Sequence, residues 1–194
     1  MNFCSECGAR VSVKVPDGDN MPRHVCDECA TIHYQNPKLV VGCIVEHEQK
    51  ILFCKRAIEP RYGLWTLPAG FMENAETTAE AAARETHEEA NATVEIIDLF
   101  SQISLPHINQ VYMLYRAKFS KLEFGPGSES LEVELLTEAQ VPWSEMAFPV
   151  ITESLKLYFE DRRTGSFSIH SGDMIKRTDE HYAFDLNLHS EKNN

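Results

Sequence analysis

The stretch Gly70–Ala92, GFMENAETTAEAAARETHEEANA, decides how this chain is read. Thr77 followed three residues later by Glu80 is a capping box, in which hydroxyl and carboxylate satisfy backbone N–H groups of the first turn. The run TTAEAAARETHEEAN is therefore expected to be a helix. Ala79, Ala82, Ala83, Thr86 and Ala90 recur at helical spacing, and side chains this small let a helix lie close against a sheet. Glu85, Glu88 and Glu89 are expected on a neighbouring face at i, i+3 and i+4. Like charges so placed repel by about 0.2–0.5 kcal/mol per pair. The helix carries no lysine and one arginine, Arg84, which sits four residues from both Glu80 and Glu88 and is expected to tie both. A divalent cation would turn repulsion into coordination, and hard carboxylate oxygens suit Mg2+ or Mn2+. Taken alone, such a charge run is as well read as a solvated helix face.

On either side, strands dominate. LVVGCIVEHEQKILFCKRA, from Leu39, reads as two strands joined by a short polar turn. LWTLPAGFME reads as a strand ending in a turn. VEIIDLFSQIS and QVYMLYRAKFS are further strands, with a loop around Pro106, and LEVELL is another. TEAQVPW starts a helix or turn, and FPVITESLKLYFEDRRTG closes as a helix ending at Gly165. FSIHSGDMIKR is a candidate hairpin, followed by a polar end expected to fray. Strands mixed with a few helices predict an α+β fold, helices layered on a mixed sheet.

The first 36 residues differ in kind. Of the six cysteines, Cys4–Cys7 and Cys26–Cys29 form two CxxC pairs separated by 18 residues. Each pair presents two thiolates from one knuckle, and two knuckles complete a tetrahedral Cys4 zinc site. Protein ligands fill all four positions, so this zinc is structural. Its binding free energy, on the order of 10 kcal/mol in isolated peptides, would hold a module too small for its own core. His24 and His33 lie nearby and are left out of the ligand set. The expected organisation is a zinc ribbon over 1–36, a main domain over 37–165 and a C-terminal tail over 166–194, with the candidate hairpin packed on the domain.

Composition bounds the function. The 194 residues carry a formal charge of −12, with 43% hydrophobic and 25% charged residues. A globular protein is expected, and non-specific nucleic-acid binding is disfavoured because it needs a basic surface. Metals held by carboxylates would still attract phosphate locally. No run of 18 apolar residues predicts a membrane span, and MNFCSECGAR lacks the features of a signal peptide. Free thiols fit a reducing compartment. A cytoplasmic location is expected.

Gly70, Glu76, Arg84, Glu85, Glu88 and Glu89 stand as G-x5-E-x7-R-E-x-x-E-E. Here the chain resembles the Nudix hydrolases, whose signature G-x5-E-x7-R-E-U-x-E-E-x-G-U (U a bulky apolar residue) is filled at every charged position. Thr86, Asn91 and Ala92 depart from it at the first apolar residue, the final glycine and the last apolar residue. The resemblance implies the Nudix α/β/α sandwich and metal-dependent pyrophosphate hydrolysis. By position, Glu85, Glu88 and Glu89 would hold Mg2+ or Mn2+, with Glu85 or Glu89 helping to activate water. Arg84 would orient a glutamate, Glu76 would stabilise the loop–helix junction, and Gly70 would let the backbone approach the metal. Many of these enzymes take a further glutamate from a later loop, for which GPGSESLEVELL offers Glu129 first and Glu132 second.

The HYQNP link, LPAGFME, the FSQ and QVY segments, PGSESLEVELL and the SIHSGDMIKR tail are similar to bacterial relatives of the plant plastid FAD and ADP-ribose pyrophosphatases. That likeness implies FAD or ADP-ribose as substrate and AMP as a product. NADH pyrophosphatases also carry an N-terminal ribbon, but their SQPWPFP-type motif is replaced here by SQISLPHINQVYMLY. Tyr34, Tyr62, Trp65, Phe71 and Tyr112 are candidates to stack on a base, though strand aromatics are more often core. Arg56 and Arg61 are candidates for phosphate. A homodimer is expected from the family. NADH pyrophosphatase activity, or a nucleotide sensor without catalysis, are the alternatives.

Overall fold

The computed structural model describes residues 1–177 and 183–189. The chain divides into two compact units, Met1–Pro37 and Lys38–Asn194.

The first unit is a three-stranded antiparallel sheet of β1 (Val11–Lys14), β2 (Arg23–Cys26) and β3 (Ile32–His33), with β2 central. Its buried apolar residues are Cys4, Val25 and Cys26, while Phe3, Val13 and Met21 lie exposed. So little apolar burial does not offset the chain entropy of folding, and a unit of this size needs a cross-link. Both CxxC knuckles face the same point, where such a cross-link would form.

The second unit is built on one mixed sheet. Its strands are β4 (Lys38–His47), β5 (Lys50–Arg56), β6 (Trp65–Thr66), β7 (Ala69–Phe71), β8 (Val94–Leu105), β9 (Gln110–Phe119), β10 (Ser130–Thr137), β11 (His170–Lys176) and β12 (Phe184–Leu188). The order is β10-β5-β4-β9-β8-β11-β12, with β6 on β5 and β7 on β4. The β4–β9 and β8–β11 pairs are parallel and the others antiparallel.

Two helices cover the two faces, α1 (Thr78–Ala90) and α2 (Pro149–Thr164). Side chains alternate along a strand, and β4 shows the consequence. Val41, Cys43 and Val45 join a cluster with Ala81, Ala82 and Ala90 of α1. Val40 and Ile44 join the other cluster, with Val150, Ile151, Leu155, Tyr158 and Phe159 of α2. The alanines give α1 a close seat, whereas α2 fills its side with aromatic bulk. This layering is the α/β/α sandwich that the resemblance implies.

Helix ends follow their chemistry. Thr77 and Glu80 make the expected capping box. Pro149 opens α2, and Gly165 closes it in the left-handed region at φ 72°. The tail extends the sheet. β11 runs parallel to β8, and β12 pairs antiparallel with β11. The polar end expected to fray therefore includes a strand, and the rest of that expectation lies outside the described residues.

One crossing positions the loop ahead of α1. Gly42 faces Ala69 in the β4–β7 register, and a Cβ there would run into the Ala69 Cβ and the Pro68 carbonyl. Gly42→Ala is expected to lower stability by about 1–3 kcal/mol, the usual cost of overpacking. Thermal unfolding reads it, and an unchanged midpoint would mean that the crossing has slack.

Candidate active site

Helix α1 buries more than its alanines. Its buried residues are Ala81, Ala82, Glu85, Thr86, Glu89 and Ala90. Glu85 and Glu89 thus belong to the covered stripe, at 9% and 6% exposure, and only Glu88 stays open to water. The sequence reading put all three on a face beside the alanines and counted Ala79 and Ala83 in the seat. Those two alanines are only partly covered.

Burial disfavours the charged form of a carboxyl. It pushes Glu89 up to about 8, against the Ala69 N–H, with the charges of Glu85 and Glu129 raising it further. Glu85 is raised as well, again chiefly by burial. The Ala69 N–H donates to Glu89 Oε2 at 3.1 Å. A group of desolvated, mutually repelling oxygens is a donor set that a hard divalent cation satisfies.

Arg84 organises this face. Its Nε and Nη2 donate to the two Glu76 oxygens at 2.9 and 2.8 Å, its Nη1 to Glu85 at 2.9 Å and to Glu88 at 3.0 Å, and its Nη2 to the Phe71 carbonyl at 3.1 Å. The bidentate pair holds the Glu76 carboxyl down to about 2. The expected tie to Glu80 is not made; Glu80 Oε2 instead accepts from the Thr77 N–H and hydroxyl, both at 2.8 Å, in the capping box. Gly70 lies directly against the cluster. A Cβ there would occupy the space of the Glu85 carboxylate.

The loop before β10 brings a fourth acid. The Glu129 charge acts on both Glu85 and Glu89. Glu132 instead pairs with Lys55 at 2.7 Å across the β5–β10 ladder.

At the end of β5, Arg56 is buried at 8% exposure. Its Nε donates to the Pro60 carbonyl at 2.9 Å, and its guanidinium lies 5.0 Å from the Phe148 ring centroid. No carboxylate forms a salt bridge with it among the described residues, yet its charge is felt at Glu89 and Tyr112. Tyr112 is buried, whereas Phe71 is exposed with the Lys38 ammonium 4.8 Å above its ring. Tyr62 is exposed. Trp65 packs in the α2-side core with Lys55 over its ring. Tyr34 belongs to the first unit, where Arg23 lies over it. Phe148 and Lys38 carried no sequence signal. Phe148 reads as an ordinary residue ahead of a helix proline, and Lys38 as a strand-end charge.

In the first unit, the Cys4, Cys7, Cys26 and Cys29 sulfurs all lie within 4.8 Å of one another. Cys4–Cys29 is 3.7 Å, and Cys7–Cys26 and Cys7–Cys29 are each 3.4 Å. A zinc tetrahedron with bonds of about 2.3 Å has edges of about 3.8 Å, so the four sulfurs fit it. The Thr31 hydroxyl and backbone hold the Cys29 thiol below its usual range. His33 stands outside the set, its Nε2 3.3 Å from Cys4 Sγ.

Residues 2–35 match the zinc-ribbon family described as Nudix N-terminal, and residues 36–158 match the NUDIX domain. A NUDIX hydrolase of known structure from Nitrosomonas europaea is 58% identical, covering 91% of this chain and all of that one, with a TM-score of 0.88. An NAD-capped RNA hydrolase from Vibrio parahaemolyticus is 31% identical over 65% of this chain and 46% of its own length. An ADP-ribose pyrophosphatase from Methanocaldococcus jannaschii is 38% identical over 38% of this chain and 43% of its own. The chain spans about half the length of these curated relatives.

Cys26→Ser is expected to release a stoichiometric zinc and destabilise the first unit. Metal analysis of the purified variant checks this, and unchanged zinc content would refute the four-cysteine site.

Proposed function

The chain belongs to the Nudix hydrolase family, and from that premise we propose that it hydrolyses the pyrophosphate bond of a nucleoside diphosphate linked to a second group. The observation that carries this reading is the set of acids Glu85, Glu88 and Glu89 on one helix, with Glu85 against Gly70 and the Glu129 charge acting on Glu85 and Glu89, which are buried and electrostatically strained.

Glu85, Glu88 and Glu89 would hold Mg2+ or Mn2+, with Gly70 giving the cation access to the backbone. When bound, the metal supplies positive charge to the pyrophosphate and lowers the pKa of the attacking water. Arg84 fixes the carboxylates of Glu85 and Glu88 so that they do not rotate away from each other. Arg56 offers a buried guanidinium without a carboxylate partner among the described residues, and phosphate is an anion whose geometry its fork matches. It orients the substrate rather than the metal. Glu129 is assigned to take the proton from water. Displacement then leaves two phosphate monoesters. Four cysteines in a zinc tetrahedron leave no open ligand position, which supports a structural role for that metal.

ADP-ribose or FAD is the favoured substrate, giving AMP with ribose 5-phosphate or FMN. The name of the Methanocaldococcus relative supports the first of these. The names of the Vibrio relatives favour a second reading, an NAD or NADH pyrophosphatase that also acts on NAD-capped RNA. A formal charge of −12 disfavours extended RNA contact. A purely ligand-sensing role would not require the whole carboxylate set with its Arg84 clamp.

Product analysis on ADP-ribose, FAD, NADH, NAD and an NAD-capped oligonucleotide, each with Mg2+ or Mn2+, ranks these readings. AMP released from ADP-ribose or FAD is the expected result. Preferential cleavage of NADH or the capped oligonucleotide would select the second reading, and no cleavage of any would leave the sensing role. Glu88→Gln is expected to lower turnover by about a hundredfold or more, beyond the 10–100-fold typical of supporting ligands, with an unchanged circular dichroism spectrum. Near-normal turnover would remove Glu88 from the metal site.

A further inference from the structure

Asn91 ends α1 in the left-handed region at φ 48° and ψ 28°, and its N–H donates to the His87 carbonyl at 2.8 Å. Glycine meets the same backbone demand without a Cβ penalty. The asparagine side chain is therefore not needed for the cap. Its Nδ2 donates to the Pro126 carbonyl at 2.8 Å and lies 3.4 Å from the Gly125 carbonyl. Both partners are acceptors, so the amide nitrogen must be the group that faces them.

The same loop meets the helix in two further ways. Gly125 N–H donates to the Ala90 carbonyl at 2.8 Å and Gly127 N–H to the Glu89 carbonyl at 3.0 Å. These are carbonyls of the last turn, which have no partner within the helix. A Cβ on Gly127 would land on the Glu88 carbonyl, so the loop backbone lies directly on the helix end. Farther along, the Ala57 N–H donates to the Glu129 carbonyl at 2.8 Å. Glu129 thus hangs between an anchor at the end of α1 and an anchor just beyond β5. Its charge reaches Glu85 and Glu89 from there.

We propose that Asn91 is a positioning residue whose side-chain amide tethers the Gly125–Glu129 loop to α1 and so sets where the Glu129 carboxylate stands. The proposal rests on the role given to Glu129 above. It also gives a physical reason for Asn91 standing where the signature has glycine. The helix stop is kept, and a bond to the loop is added.

Asn91→Gly separates the two duties, since it retains the cap and removes the tether. Hydrogen exchange by mass spectrometry over 125–130, the melting midpoint, and kcat and KM with Mg2+ are measured on the full chain. Exchange of the Gly125 and Gly127 amides is expected to accelerate two- to tenfold, about what one hydrogen bond contributes. Turnover should fall by a similar factor at unchanged KM, without a lower melting midpoint. Asn91→Asp, similar in size but unable to donate, should loosen the loop in the same way. Unchanged exchange and kcat in Asn91→Gly would overturn the proposal and leave Asn91 a cap. Faster exchange with intact kcat, in a protein impaired by Glu129→Gln, would overturn the claim that the tether places the carboxylate. Full turnover in Glu129→Gln would instead sink the role given to Glu129, and loop exchange alone would then judge the tether.

Discussion

Two carboxylates are taken out of water on the covered side of α1, and the surrounding structure is arranged to tolerate them. Leaving a charge unpaired in such a place is costly. Glu85 has Arg84 at 2.9 Å, and Glu89 has the Ala69 N–H at 3.1 Å. Neither partner removes the strain, since both carboxyls remain raised. Arg84 is already committed to Glu76 and Glu88 as well. What remains is a local demand for positive charge that the chain does not itself meet.

The fold answers the geometric side of that demand with small residues. Alanines at 81, 82 and 90 bring α1 down on β4, and glycines at 42 and 70 bring β7 beneath it. The acids at 85 and 89 then come within reach of the β7 backbone. On the other sheet face, aromatic residues pack against α2, and the Arg56 guanidinium lies over the Phe148 ring ahead of that helix. The Arg56 charge is felt at Glu89, so the buried cation and the acid cluster act on one another.

The Nudix signature made the helix, its cap and the carboxylate set legible, because each depends on residues close together in sequence. β4 and β5 were legible as two strands joined by a short polar turn, but not which of their side chains meet α1 and which meet α2. The burial of Glu85 and Glu89 was not legible either. Helical spacing alone groups alanines with alanines, and nothing local says that a functional cluster will be turned toward the sheet. The partners of Arg84 were half legible. Glu88 follows from i+4 spacing, but Glu76 and the Phe71 carbonyl depend on how the preceding loop folds back. Likewise Phe148 and Lys38 acquire meaning only through contacts across 92 and 33 residues of chain, from Arg56 to Phe148 and from Lys38 to Phe71.

The net charge can now be placed against the site. At −12 the protein as a whole repels an anionic substrate, yet the long-range part of that field is screened beyond about 8 Å at physiological salt. Under the proposed function, binding would be decided locally, where a divalent cation would reverse the sign of the acid cluster and Arg56 would add a charge already stripped of most of its water. Arg56 pays its desolvation in the folded protein, before any substrate arrives. A phosphate that meets it there recovers more than it would from an exposed lysine. A compact pyrophosphate suits such a site better than a polyanion does, because it takes the short-range attraction of metal and guanidinium without laying further negative charge along an acidic surface.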